Sequence, residues 1–417
     1  LYNNLPTVEK RRAAILRNFG ADAEQAAELL AYNTNCFRAT DPVTRFPLED
    51  EPFVKVWEEY VREVRERGSI TALAIYLVEL SFPIEEGMSR TGEYIGATRR
   101  GIHPAGMSKA TGLQLEAPEQ CQVLLHRTAA GRIPLILPAT RKDFLALVQA
   151  FTGRNEPMRQ PSSMGACIVS GYNNWNRIDR LHQEFRCLGG SKQQWLAEFE
   201  RIKPKKHLYQ DRFIILSNGP YSGIAGHEVG YSEQQWQEIS LVIRREHECA
   251  HYFTKRVFAS MQKNVMDEII ADYSGITAAA GKFQAGWLLR FFGLESFPVY
   301  RQGGRLENYR GNPPLSDAVF CVLQKLVHSA IYNLERFSEG AKARTGGPLP
   351  QWAVMMSLAS LTLEDLAGES GAELLFERFS LATNTAAQRD TGTAGSSAHV
   401  SVAPPAQELR TVAPANS

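Results

Sequence analysis

The segment His247-Glu248-Cys249-Ala250-His251 carries the spacing of a metal site. Histidines at i and i+4 of a helix project from one face, close enough for both imidazoles to reach a single ion. Glu248 then lies about 100° round the helix from His247, beside the open side of that ion. Zinc suits such a set, because it takes imidazole and carboxylate ligands tetrahedrally and leaves one position for water. Zn²⁺ makes the water acidic, and a carboxylate placed like Glu248 can take its proton as it attacks a carbonyl. With nine histidines in 417 residues, roughly one chain in a hundred would show this pattern by chance. The surroundings of the motif therefore decide.

Those surroundings read as two consecutive helices. Ser232 to about Ser260 is the clearest helix in the chain. Ser232-Glu-Gln-Gln235 fits a capping box, in which the serine and the glutamine satisfy each other's orphan backbone N–H groups. Trp236, Ile239, Ile243, Ala250 and Phe258 set an apolar stripe on the side of both histidines, so the imidazoles are expected to face inward. A second helix is expected from about Asn264 to Phe283. It carries Glu268-Ile-Ile-Ala-Asp272, a carboxylate pair at i and i+4. One of the two is placed to bind metal and the other to orient an imidazole. Sixteen residues (252–267) separate His251 from Glu268, enough for a helix end, a turn and a returning helix. Asp267 is an alternative ligand, but it lacks the i+4 relation to Asp272.

HExxH followed by ExxxD on the next helix resembles the gluzincin group of zinc metallopeptidases, the thermolysin-like clan, over about residues 212–281. The resemblance implies a Zn²⁺ cofactor with His247, His251 and Glu268 as ligands, Glu248 as catalytic base and Asp272 as orienter of a ligand histidine. It also implies that the strand at Phe213–Leu216 is an edge strand that aligns an extended substrate. In similar enzymes a Tyr or His beyond the third ligand stabilises the oxyanion. The candidates here are Tyr309 and His328. Arg305 and Arg310, which flank Tyr309, are candidates for binding a substrate carboxylate. Cys249, at a variable position of the motif, reads as a small core residue.

The fold class expected is α+β and mostly helical. A helical N-terminal portion with a β-hairpin (1–153) would be joined by a linker (154–172) to a zincin-like domain (173–382), followed by a disordered tail (383–417). The hairpin is Val123–His126 and Ile133–Leu137. Thr140 is the expected cap of a helix running to about Phe151, and the apolar run Ile70–Ile84 reads as a buried helix. Further helices are expected at 316–337, 351–361 and 363–379. The tail is rich in Ala, Ser, Thr, Pro and Gly and cannot bury enough surface to offset its ordering entropy. The N-terminal half resembles no characterised family.

Composition narrows the function. Hydrophobic residues make up 44% and charged residues 22%, with net charge +1, so nothing in the charge balance calls for nucleic acid or a membrane surface. No run of about 20 apolar residues is present. Six cysteines without a CxxC pair read as reduced, mostly core thiols, and with no signal-peptide pattern a cytoplasmic location is expected. The leading function is a zinc hydrolase that cleaves a peptide or other amide bond. One alternative is a zinc-dependent biosynthetic (secondary-metabolite) enzyme acting on a small amide, ester or carrier-bound acyl intermediate. The other is a non-catalytic protein with a structural zinc, which retention of Glu248 disfavours.

Overall fold

A computed structural model describes residues 7–37, 45–161, 164–260 and 264–393. The architecture is α+β and mostly helical, with one four-stranded mixed sheet. Helices α1 (Thr7–Asn18), α2 (Ala23–Tyr32), α3 (Val54–Arg67) and α4 (Gly92–Arg100) precede the hairpin of β1 (Gln122–Thr128) and β2 (Gly131–Leu137). Then come α5 (Arg141–Gly153), β3 (Ala166–Asn173), α6 (Trp175–Cys187), α7 (Lys192–Ile202) and β4 (Gln210–Leu216). The remainder is helical: α8 (Glu233–Phe258), α9 (Val265–Ala280), α10 (Ala285–Phe292), α11 (Asp317–Thr345), α12 (Gln351–Ala359), α13 (Leu363–Ala367) and α14 (Gly371–Thr393).

The sheet order is β1-β2-β4-β3, with β2 and β4 parallel and the other pairs antiparallel. Successive side chains of a strand point to opposite faces, and β4 uses this to divide two cores. Phe213 and Ile215 pack with Trp57, Tyr60, Phe144 and Leu147 of α3 and α5. Ile214 and Leu216 pack with α8, α9 and the C-terminal helices. The first two helices join that second core through Leu16, Ala26 and Leu29. Arg12 of α1 also forms a buried ion pair with Glu364 of α13, Nε to Oε2 3.1 Å.

These facts correct the expected layout in several places. The segment 154–172 supplies most of β3 rather than a plain linker, and a single sheet draws strands from both sides of it. β4, expected at the edge, is interior; β1 and β3 are the terminal strands. Ile70–Ile84 forms two 3₁₀ turns, Ile70–Ile75 and Val78–Ser81, instead of one helix. Helix α14 continues through Thr393, past the expected start of the tail at 383, and residues 394–417 lie outside the described residues. Of the cysteines, only Cys121 and Cys249 are buried. Among the described residues, no helix is long and apolar enough to cross a membrane.

Candidate metal centre

Helix α8 starts at the expected capping box: the Ser232 side chain accepts from the Gln235 N–H, and Gln235 accepts from the Ser232 N–H. Helix α9 is capped by Asn264, whose side chain accepts from the Asp267 N–H at 3.2 Å. The two helices pack closely where α9 has Gly275. A Cβ there would stand 2.5 Å from the carbonyl oxygen of Ile243 on α8, a contact no larger residue tolerates without moving the helices apart. One and two turns before that contact, α9 presents Asp272 and Glu268 to α8.

Three donors meet between the helices. The Nε2 atoms of His247 and His251 are 3.1 Å apart, with the rings nearly perpendicular at 83°. Glu268 places Oε2 3.6 Å from His247 Nε2 and Oε1 3.6 Å from His251 Nε2. All three residues are buried. Donors lying 2.0–2.1 Å from a tetrahedral ion are separated from one another by about 3.3–3.4 Å, so the observed triangle has the size of a metal-ligand face.

The far nitrogens of both rings point at carboxylates. His247 Nδ1 lies 3.0 Å from Asp272 Oδ1 and 2.9 Å from the Tyr221 hydroxyl. Tyr221 itself donates to Asp272 Oδ1 at 2.6 Å. His251 Nδ1 sits 3.2 Å from Asp267 Oδ2, an ion-pair contact that is not aligned as a hydrogen bond. Asp267 also accepts from the Thr254 hydroxyl at 3.3 Å. With a proton on each Nδ1, each Nε2 carries a lone pair. Two lone pairs and a carboxylate then face one point without a donor among them, an arrangement that could hold a metal ion.

The local charge agrees. Four carboxylates (Glu248, Asp267, Glu268, Asp272) gather here, together with the guanidinium groups of Arg244 and Arg305. Without an ion, burial alone would favour neutral His251. Asp267, then Glu268 and Glu248, outweigh burial and hold its pKa up to about 10. The residues therefore fit a divalent metal.

The remaining sequence candidates separate. Glu248 is half-buried and faces β3, where burial and then its charge push the Cys167 thiol up to about 11. Tyr309 has its hydroxyl beside Glu268; burial first, then Glu268, drive its pKa upward. Arg305 is half-buried and engaged within the protein: its guanidinium donates to Asp272 Oδ2, to the Tyr221 hydroxyl at 2.9 Å and to Ser222 Oγ at 3.1 Å, and lies over the Tyr221 ring. Arg310 is committed to the Leu315 carbonyl and Asp317, because its loop must be tied to the start of α11. His328 stands on α11 with its ring stacked on Phe297 at 4.2 Å and against Tyr332 at 5.0 Å. Among the described residues it makes no contact with the centre.

Tyr221 and Arg305 clamp Asp272 from two loops, and Arg244 anchors the Tyr221 loop by donating to the carbonyls of Ser217 (2.8 Å) and Gly219 (3.0 Å). None of these roles follows from helical spacing. Asp267 was visible as the acidic neighbour of Glu268, and it stands beside His251 Nδ1 at 3.2 Å, outside the triangle of His247, His251 and Glu268. A model of a family of unknown function, DUF7005, matches residues 14–370. The chain belongs to that family. No curated protein and no solved structure matches it. The DUF7005 match spans every residue of the centre, the whole sheet and the helices behind it.

Proposed function

We propose that this chain is a zinc-dependent hydrolase of the gluzincin kind, cleaving a peptide or other amide bond with Glu248 as general base. The observation that carries this reading is the triangle of His247, His251 and Glu268, with each imidazole backed by its own carboxylate. Zinc held there would supply a Lewis acid for a water molecule and for the substrate carbonyl. Glu248, one residue past His247 and half-buried, takes the proton of the attacking water and returns it to the departing nitrogen. The Tyr309 hydroxyl, beside Glu268, offers a donor to the oxygen that becomes negative. Asp272 and Asp267 hold the ring tautomers that turn both Nε2 atoms inward. The terminal strand β3, on the Glu248 side of the sheet, supports recognition of an extended substrate along its outer edge.

Metal analysis of the purified protein is expected to give about one zinc per chain, lost in His247→Ala. Glu248→Gln is expected to keep the metal and lose about 10²- to 10⁴-fold in turnover, with peptide libraries and small acyl amides as substrates. A metal-free native protein, or a Glu248→Gln variant of undiminished activity, overturns the reading.

A further inference from the structure

The opposite face of α8 lines a second site. At 100° per residue, Glu246, Cys249 and Phe253 lie about 260°, 200° and 240° round from His247, so they point away from the metal centre, and Ala250, at about 300°, lies on the flank between the two faces. They form one wall of a cavity of about 410 Å³. Facing them are Trp352 and Met355 of α12, with Phe46 stacked on Trp352 at 4.8 Å between ring centroids. The volume falls in the range of small-molecule pockets, about 300–1,000 Å³, and so does the mixture of apolar wall and few polar groups.

The polar groups decide what such a pocket takes. The Glu246 carboxylate is already engaged by His126 at 2.9 Å and Arg245 at 2.8 Å. Thr128 donates to the Gly131 carbonyl at 2.6 Å. Arg127, at the rim, is exposed, and among the described residues its guanidinium has neither an ion pair nor a hydrogen bond. The one uncommitted charge is therefore positive, at the mouth of an aromatic and aliphatic chamber. A guanidinium in that position pairs bidentately with a carboxylate.

We propose that this cavity binds a small aromatic carboxylate, its ring against Trp352 and Phe253 and its carboxylate on Arg127. The site is separate from the hydrolytic centre and stands whether or not that centre cleaves amides. Its walls contain the immediate neighbours of both ligand histidines, Glu246 beside His247 and Ala250 beside His251.

The test is titration of the full chain with 2-naphthoate, 2-naphthamide and 2-naphthylmethylamine, read by tryptophan fluorescence and by thermal shift. Saturable quenching by 2-naphthoate is expected, at least about tenfold tighter than by the neutral and cationic probes, that is about 1.4 kcal/mol. Arg127→Gln, at an exposed position, is expected to erase that preference. Trp352→Phe, which keeps an aromatic wall, is expected to retain the thermal shift and lose most of the quenching. The proposal is overturned if 2-naphthoate does not bind, or if the three probes bind alike. It is equally overturned if Arg127→Gln leaves the order unchanged or the quenching survives in Trp352→Phe.

Discussion

Two enclosed carboxyl groups on opposite sides of the sheet meet opposite fates. Burial alone would raise the pKa of Asp272 on α9, yet Arg305, then His247 and the Tyr221 hydroxyl, hold it below the usual carboxylate range. Among the described residues, Glu79, in the 3₁₀ turn Val78–Ser81, has no such cation. Part of the residue is exposed, but its carboxyl end is enclosed, and burial pushes it up to about 7 even with a 2.6 Å hydrogen bond from Tyr172. A buried carboxyl group gives up its charge unless a cation is supplied. The α8–α9 region keeps Asp272 charged with a dedicated guanidinium, and charge retained at that cost is the mark of a group that is used. Here that charge stands 3.0 Å from His247 Nδ1.

Removing the cation should show the largest effect. Arg305→Met leaves Asp272 buried without its ion-pair partner, so a loss of about 3–5 kcal/mol is expected in urea unfolding. Asp272→Asn in the same chain should recover part of that loss, and additive single-variant effects would show that the pair does not act as a unit. Asp272→Asn alone should weaken zinc binding by about 10- to 100-fold in chelator competition. Asp267→Asn should fall at the low end, about tenfold, because the Asp267 contact with His251 is not an aligned hydrogen bond. Should Asp267→Asn prove the more damaging of the two, the assignment of Asp272 as the stronger support is wrong.

What could be read in advance follows the same division. The α8 cap, the inward His247 and His251, and Glu268 with Asp272 were legible because each depends on neighbours within one or two turns of a helix. The clamp on Asp272 was hidden because Tyr221 and Arg305 come from loops without periodicity and meet it across 51 and 33 residues of chain. Strand β3 was obscured by the Pro-, Ser- and Gly-rich stretch before it, and β4 was expected at an edge on the gluzincin resemblance alone, whereas β3 pairs along its other side. Helix α6 begins at Asn174, its N-cap, whose side chain accepts from the Arg177 N–H at 3.4 Å. The apolar run at Ile70–Ile84 shows the limit of composition: its residues are buried as expected at Ile70, Leu73, Leu77 and Leu80, but period and geometry differ from an α-helix.

The smallest expected effect lies at Glu79 and sharpens the contrast from the other side. A carboxyl whose pKa rises from its ordinary value of 4.5 to about 7 on folding holds a proton in the native state that the unfolded chain releases between those values. Its contribution to stability is therefore complete below pH 4.5 and lost as the pH rises through about 7. Urea midpoints should fall across that window in the native protein, and Glu79→Gln, which cannot ionise, should flatten the fall. Tyr172→Phe should cost about 1 kcal/mol for the lost hydrogen bond. It should also move the window upward, because the phenol favours the charged carboxylate. A pH dependence that persists unchanged in Glu79→Gln would assign it to another group and remove the uncompensated partner from the comparison with Asp272.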